Sequence, residues 1–379
     1  MKKSSKIVFF SLCAALIIGL TFYFRFFLYC PTASQGDFAM HLKNIVYTNS
    51  KVFDYSLINI IMGWFASLGY DACAWIYSII IAMAKVSMTV IIYFYLNSKR
   101  EKFNIKNDWI IIGIAFALLF IGAISPIWNW GWGTLQYYNI KTPNVWHNPT
   151  FICMQPFALI SFIYFEKFYF DKQKTVKNWM LFCLFLTLSA FMKPSFIFVF
   201  VPTLAIIFII SLIKNKFKNF KEIFIICCAF IPSMLVILYQ YIALFKSEAG
   251  VSGDGFCFIV GGLPILTLPL LFLAPATIYI INHKRLDNND KLSLILLLIG
   301  FIEGYFISES GSRAGAGNLT WQYLSAINLV FIFATINFLR NYKQMKRWQR
   351  ILCIVFLSLH LICGIVCFVR YIANGGNYM

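Results

Sequence analysis

The sequence predicts an all-α fold, a polytopic transmembrane helical bundle of about eleven helices, and three observations carry that prediction. Of 379 residues, 60% are hydrophobic and 19% aromatic, while only 12% are charged, about half the charged fraction of an ordinary soluble domain. The apolar residues come in unbroken blocks, each close to the roughly 20 residues that cross a bilayer core of about 30 Å. The basic residues fall between those blocks in every second gap, the pattern of cytoplasmic loops.

The first block, Ile7 to Leu28, follows the basic start MKKSSK. Thr32, Ala33 and Ser34 beyond it could serve as a signal cleavage site. The run is longer than a usual signal core and ends in bulky aromatics, so it reads as an uncleaved helix. The second block is Tyr70 to Leu96; before it, Leu57 to Leu68 is apolar but too short to span, and reads as a helix lying in the interface. Trp109 to Ile127 and Thr150 to Phe170 follow. The fifth and sixth blocks, Trp179 to Met192 and Ser195 to Ile213, are separated only by Lys193 and Pro194. Both flanking loops are basic, so an even number of crossings lies between them. Two short helices meeting at Lys193 on the outer side satisfy this, and a single hairpin dipping partly across is the alternative. Ile223 to Phe245, Leu263 to Ile281, Leu292 to Ser308, Leu319 to Leu339 and Ile351 to Tyr371 complete the set. Within lipid each must be helical, because every backbone donor and acceptor needs an internal partner.

Six basic clusters set the orientation, from Lys2, Lys3 and Lys6 at the start to Arg340, Lys343, Lys346, Arg347 and Arg350 near the end. All can be cytoplasmic together, which puts the N-terminus inside and the C-terminus outside. The chain then forms a single transmembrane domain over 1–379, a multi-pass protein expected in a cell membrane of bacterial cytoplasmic type. Its outer loops are 29–69, 128–149, 246–262 and 309–318. The net charge of +18 does not point to nucleic acid, because no soluble stretch is long enough to carry a basic face. Cys363 and Cys367 would share a helix face, but no carboxylate accompanies them and no metal site is expected there. Cys30 and Cys257 both fall outside, where a disulfide can form.

Ionisable groups are sparse in the outer half, and charges near membrane depth tend to mark function. Asp37, in GDFAMHL, precedes His41 by four residues, so the two share a helix face. A carboxylate paired with imidazole can take a proton from a hydroxyl; the alternative is a helix N-cap. The loop WNWGWGTLQYYNIKTPNVWHNPT holds Trp128, Trp130, Trp132, Tyr137, Tyr138 and Trp146. These read as an aromatic belt or as rings that pack on sugars, with His147 and Asn148 beside them. Lys193 adjoins the N-terminus of the sixth helix, an anion site in waiting, or else snorkels to the surface. Arg313, in SESGSRAGAGN, could hold phosphate in two-pronged fashion or pair with Glu309. Glu303 and Lys85 lie inside apolar blocks and could pair or line a pathway.

The layout resembles the GT-C superfamily of integral-membrane glycosyltransferases: a cytoplasmic N-terminus, many helices, and a long first outer loop with interfacial helices and an acidic residue near its start. Asp37 in GDFAMHL occupies that acidic position. The resemblance implies transfer of a sugar from a polyprenyl-phosphate donor to a glycan or lipid acceptor at the outer face. Asp37 would act as general base, with Lys193, Arg313 and His147 stabilising the departing phosphate. No DxD motif occurs, whereas metal-dependent members carry paired acidic motifs, so a metal-independent site without cofactor is expected. A lipid-linked polysaccharide polymerase would use a similar donor. A flippase-type transporter would instead need a polar pathway and repeated halves, and no repeat is evident; a non-catalytic accessory subunit is a further reading.

Overall fold

Blocks this apolar satisfy their backbone most directly as helices in lipid, and the described residues of the computed structural model are accordingly mostly helical. It describes residues 3–30, 37–48, 55–103, 105–124, 144–245, 256–258, 268–309 and 319–373. The helices are α1 (Lys3–Tyr29), α2 (Asp37–Lys43), α3 (Leu57–Gly63), α4 (Tyr70–Ser98), α5 (Asp108–Phe120), α6 (Pro149–Phe165), α7 (Val176–Met192) and α8 (Ser195–Lys214). They continue with α9 (Phe220–Cys228), α10 (Ile231–Phe245), α11 (Leu268–Ile281), α12 (Asn288–Phe306), α13 (Thr320–Asn341) and α14 (Arg347–Ala373). Among the described residues seven helical stretches are long and apolar enough to cross a membrane: α1, α4, α6 with its π-helical extension, α8, α9 with α10, α13 and α14. The chain is thus a multi-pass bundle of apolar helices.

Helix α13 lies at the centre. It packs on α12, α11 and α8, and its residues from Trp321 to Phe338 are buried without interruption. Helix α4 packs against α1, α5 and α6, and α7 lies between α6 and α10. Sites of helix interruption have local causes. Pro232 sits at the start of α10 and cannot donate to the preceding turn, which separates α10 from α9. Between α7 and α8, Lys193 is extended (φ −160°, ψ 128°), as the residue before a proline prefers. The lysine therefore stands at the junction of two helices.

The third and eighth apolar blocks depart from the expected unbroken helices. Helix α5 ends at Phe120, and Ile121 turns the chain out of helix (φ −58°, ψ 128°). In α11, Phe272 leaves helical geometry (φ −137°, ψ 31°). The two breaks satisfy one another's backbone: the Ile124 N–H donates to the Leu270 carbonyl (3.1 Å), and the Gly122 N–H to the His360 carbonyl of α14 (3.0 Å). The Ala274 N–H donates to His360 Nε2 (3.3 Å). That nitrogen must therefore be the bare one, leaving Nδ1–H to donate to the Gly122 carbonyl (2.7 Å). Partners from other helices replace the missing internal ones.

A second addition is a two-stranded antiparallel sheet, β1 (Phe256–Phe258) with β2 (Ile307–Glu309), in which Cys257 faces Ser308. The side chain of Cys257 lies outside the described residues, and with it the question of a bond to Cys30.

The connections divide between two ends of the bundle. At one end Lys99 pairs with Glu166 and Asp171, Arg100 with Asp108, and Lys172 and Lys174 with Glu222. Arg340 bridges Asp287 and Asp290 there. The loops read as topological markers thus also tie helices together. Trp321 and Arg340 are 19 residues apart on α13, about 28 Å along a helix axis, so the other end lies a membrane's thickness away.

Candidate functional site

At that other end, three segments distant in sequence meet at one amide, that of Asn148. Asn148 is the N-cap of α6: its Oδ1 accepts from the Phe151 N–H (2.9 Å) and from Thr150 Oγ1 (2.9 Å). A backbone N–H can only donate, so the amide's orientation is fixed and its Nδ2 must face the other way. There it donates to Asp37 Oδ2 (2.7 Å). Among the described residues Asn148 is the hydrogen-bond partner of Asp37, and the carboxylate, first residue of α2, turns toward α6 instead of capping its own helix. Asp37 is half-buried, so it is not sealed into the apolar core.

Lys193 reaches the same amide from the α7–α8 junction, its Nζ 3.5 Å from Asn148 Oδ1. The ammonium also lies over the Trp321 ring, 4.2 Å from its centroid, an attraction that grows as water is excluded. Burial pushes this lysine down from its ordinary 10.5 to about 8, with the Asp37 charge pulling the other way. The junction is held by its neighbours: Ser56 Oγ donates to the Met192 carbonyl (2.8 Å), and Gln240 Nε2 donates to the carbonyls of Tyr55 and Ala190 (both 3.0 Å).

Two histidines flank this arrangement. His41 is buried on α2, and the Asn59 amide nitrogen of α3 lies 3.3 Å from its Nδ1. An amide N–H must donate, so the proton of the neutral ring sits on Nε2. Burial lowers His41 to about 4, Asp37 opposing the shift and Lys193 adding to it. His147 packs on Trp321 (centroids 5.7 Å apart) and burial lowers it to about 4 as well, again with Asp37 and Lys193 acting in opposite senses. Both rings are neutral at neutral pH. Among the described residues the charged groups at this amide are therefore Asp37 and Lys193, one on either side of it.

No family model matches. No curated protein resembles the chain either, so the residues themselves carry the reading of this site.

Of the residues singled out from sequence, Asp37, His41, His147, Asn148 and Lys193 come together here. Trp130, Trp132, Tyr137 and Arg313 lie outside the described residues. Glu309 ends β2, opposite Phe256, and its side chain is likewise outside them. Trp146, read with the loop aromatics, is instead buried (5% exposed), stacked on Phe120 and lying over the ammonium of Lys85. Lys85 donates to the amide oxygens of Asn144 (3.1 Å) and Gln155 (3.4 Å), so its partners are neutral amides. Among the described residues Glu303 Oε2 is buried without a hydrogen bond. Two residues of the site were not singled out: Trp321, at the start of an apolar block, and Asn59, a polar interruption in LINIIMG. The polarity of Asn59 inside an apolar stretch was the available signal.

Proposed function

We propose that this protein is a membrane glycosyltransferase that moves a sugar from a polyprenyl-phosphate donor to a hydroxyl acceptor at the end of the bundle holding Asp37. The supporting observation is the pairing of a half-buried carboxylate with a half-buried ammonium across Asn148. Transfer to a hydroxyl needs a base for the proton and a cation for the departing phosphate, and these two groups match those needs. In this reading Asp37 takes the proton as the acceptor oxygen forms its bond to the anomeric carbon. The bond from that carbon to the phosphate oxygen breaks with its electron pair, and polyprenyl phosphate leaves toward Lys193. Asn148 holds one carboxylate oxygen and so directs the other. The neutral histidines can donate to sugar or phosphate oxygens without adding charge.

The reading includes eleven crossings, with the N-terminus cytoplasmic and the site on the outer face of a cell membrane, because the basic loops join at the opposite end. The test is Asp37→Asn in proteoliposomes supplied with a labelled polyprenyl-phosphate sugar and acceptor. The parent chain should transfer label, and the variant should lose activity by a factor on the order of 10² to 10⁴ while its fold is retained. Full transfer by the variant would remove Asp37 from the base role. Movement of intact donor across the bilayer by the parent, without transfer, would assign the protein to the transporters.

A further inference from the structure

Arg25 lies inside the first apolar block, on α1, away from the Asn148 amide and its partners. Its guanidinium carbon lies 4.3 Å from the centroid of Trp75 on α4 and 4.7 Å from that of Tyr29. Among the described residues the group makes no hydrogen bond or ion pair, and its Nε is buried without a partner. The nearby carboxylate, Asp71, is engaged by the Tyr29 hydroxyl. A guanidinium carries five donors in a fixed plane, and leaving them unmatched at membrane depth is costly. Something outside these contacts must accept from them.

The position says what that is. Helix α1 has 27 residues, about 40 Å at 1.5 Å each, so it exceeds a hydrocarbon core of about 30 Å and reaches the headgroup layer. Arg25 is four residues from its end, about 6 Å, which is headgroup depth. The flank around it is lipid-facing: Phe22 and Phe26 of the same helix are exposed, and Trp75 stands edge-on to Phe22. Tyr47 and Tyr70 stack beside it (5.7 Å), as aromatic residues do at a membrane boundary. The end of the molecule is that of Asp37, since α2 follows α1 directly.

We infer that Arg25, walled by Trp75 and Tyr29, is a binding site for the phosphate of a membrane lipid that approaches sideways between α1 and α4. The planar fork matches two phosphate oxygens, the rings fix it against the helix pair, and the exposed phenylalanines accept the acyl or prenyl chain. The site does not depend on the transferase reading, since a lipid phosphate is present in the bilayer whatever the protein catalyses.

The test uses the full chain, purified and offered lipids in detergent, with retention read by native mass spectrometry. The probes are phosphatidylglycerol, a polyprenyl phosphate, and a phosphate-free glycosyl diacylglycerol. The parent should retain the two phosphate lipids over the glycolipid, and Arg25→Gln should lower that retention about tenfold or more. Arg25→Lys should recover part of it. Preference between the two phosphate lipids identifies whether the occupant is the bulk leaflet or a polyprenyl carrier, and either preference supports the site. Equal retention by parent and Arg25→Gln overturns it, as does equal retention of the glycolipid, or displacement of lipid by inorganic phosphate at matched concentration. Should Arg25→Gln fail to fold, Trp75→Leu, which removes one wall and leaves the charge, must lower retention in the same direction.

Discussion

Asn148 performs a structural and a chemical task with one amide group. Its oxygen caps α6, and its nitrogen holds Asp37, so the helix start that any bundle needs also orients the carboxylate. Lys193 sits at that oxygen's edge, and its titration has two consequences of opposite sign. In the folded chain it loses its proton near pH 8, against its ordinary 10.5. Between those values the unfolded chain binds more protons, so folding stability rises with pH. The hold on a departing phosphate does the reverse: it is present below about 8 and is lost above. Transfer measured from pH 7 to 9.5 should therefore fall through that value, and Lys193→Arg, whose guanidinium stays charged, should flatten the fall. The residues of this site were legible where they broke an apolar pattern: an Asp and a His on one helix face, a Lys before a Pro. Trp321 and Arg25 were hidden for the converse reason. An aromatic at the edge of an apolar block looks like belt, and an arginine inside one is absorbed into the block.

Among the elements, the paired breaks in α5 and α11 show what apolarity alone leaves undetermined. A run such as IIIGIAFALLFIGAI is compatible with lipid as a helix, and equally compatible as extended chain if other helices supply its hydrogen bonds. The suppliers, His360 and Leu270, are too far away in sequence for hydropathy to reveal them. The close approach is made possible by glycine at Gly364 of α14. A Cβ there would collide with the Phe120 carbonyl oxygen and come within 2.6 Å of the Gly122 nitrogen, both of them backbone atoms that cannot swing aside. Gly364→Ala is expected to cost about 1–3 kcal/mol as an overpacked contact, seen as a lower thermal midpoint in detergent. An unchanged midpoint would mean that α14 is free to move away from α5.

For the whole molecule, the division into two polar ends joined by an apolar middle is what the alternation of basic loops anticipated. What it did not anticipate is that the basic end is also a buried network. Asp290, 1% exposed, accepts from Arg340 and from Asn337 (2.7 Å), so α12 and α13 are joined by a charge pair as well as by packing. Arg340→Leu leaves Asp290 as an uncompensated buried carboxylate, a loss on the order of 3–5 kcal/mol. The double change with Asp290→Asn should recover much of it, and thermal unfolding of the two variants compares them directly. A loop charge and a network charge look alike in sequence, because the distinction is which helix lies opposite.

The bonds between Gly122 and His360 also have a history. They join residues 238 positions apart, and a ribosome adding about 5–20 residues per second needs on the order of 10 to 50 s to make the second after the first. Through that interval the end of α5 has none of the acceptors and donors that α14 will bring. The third apolar block therefore reaches its final shape only when the last has been made.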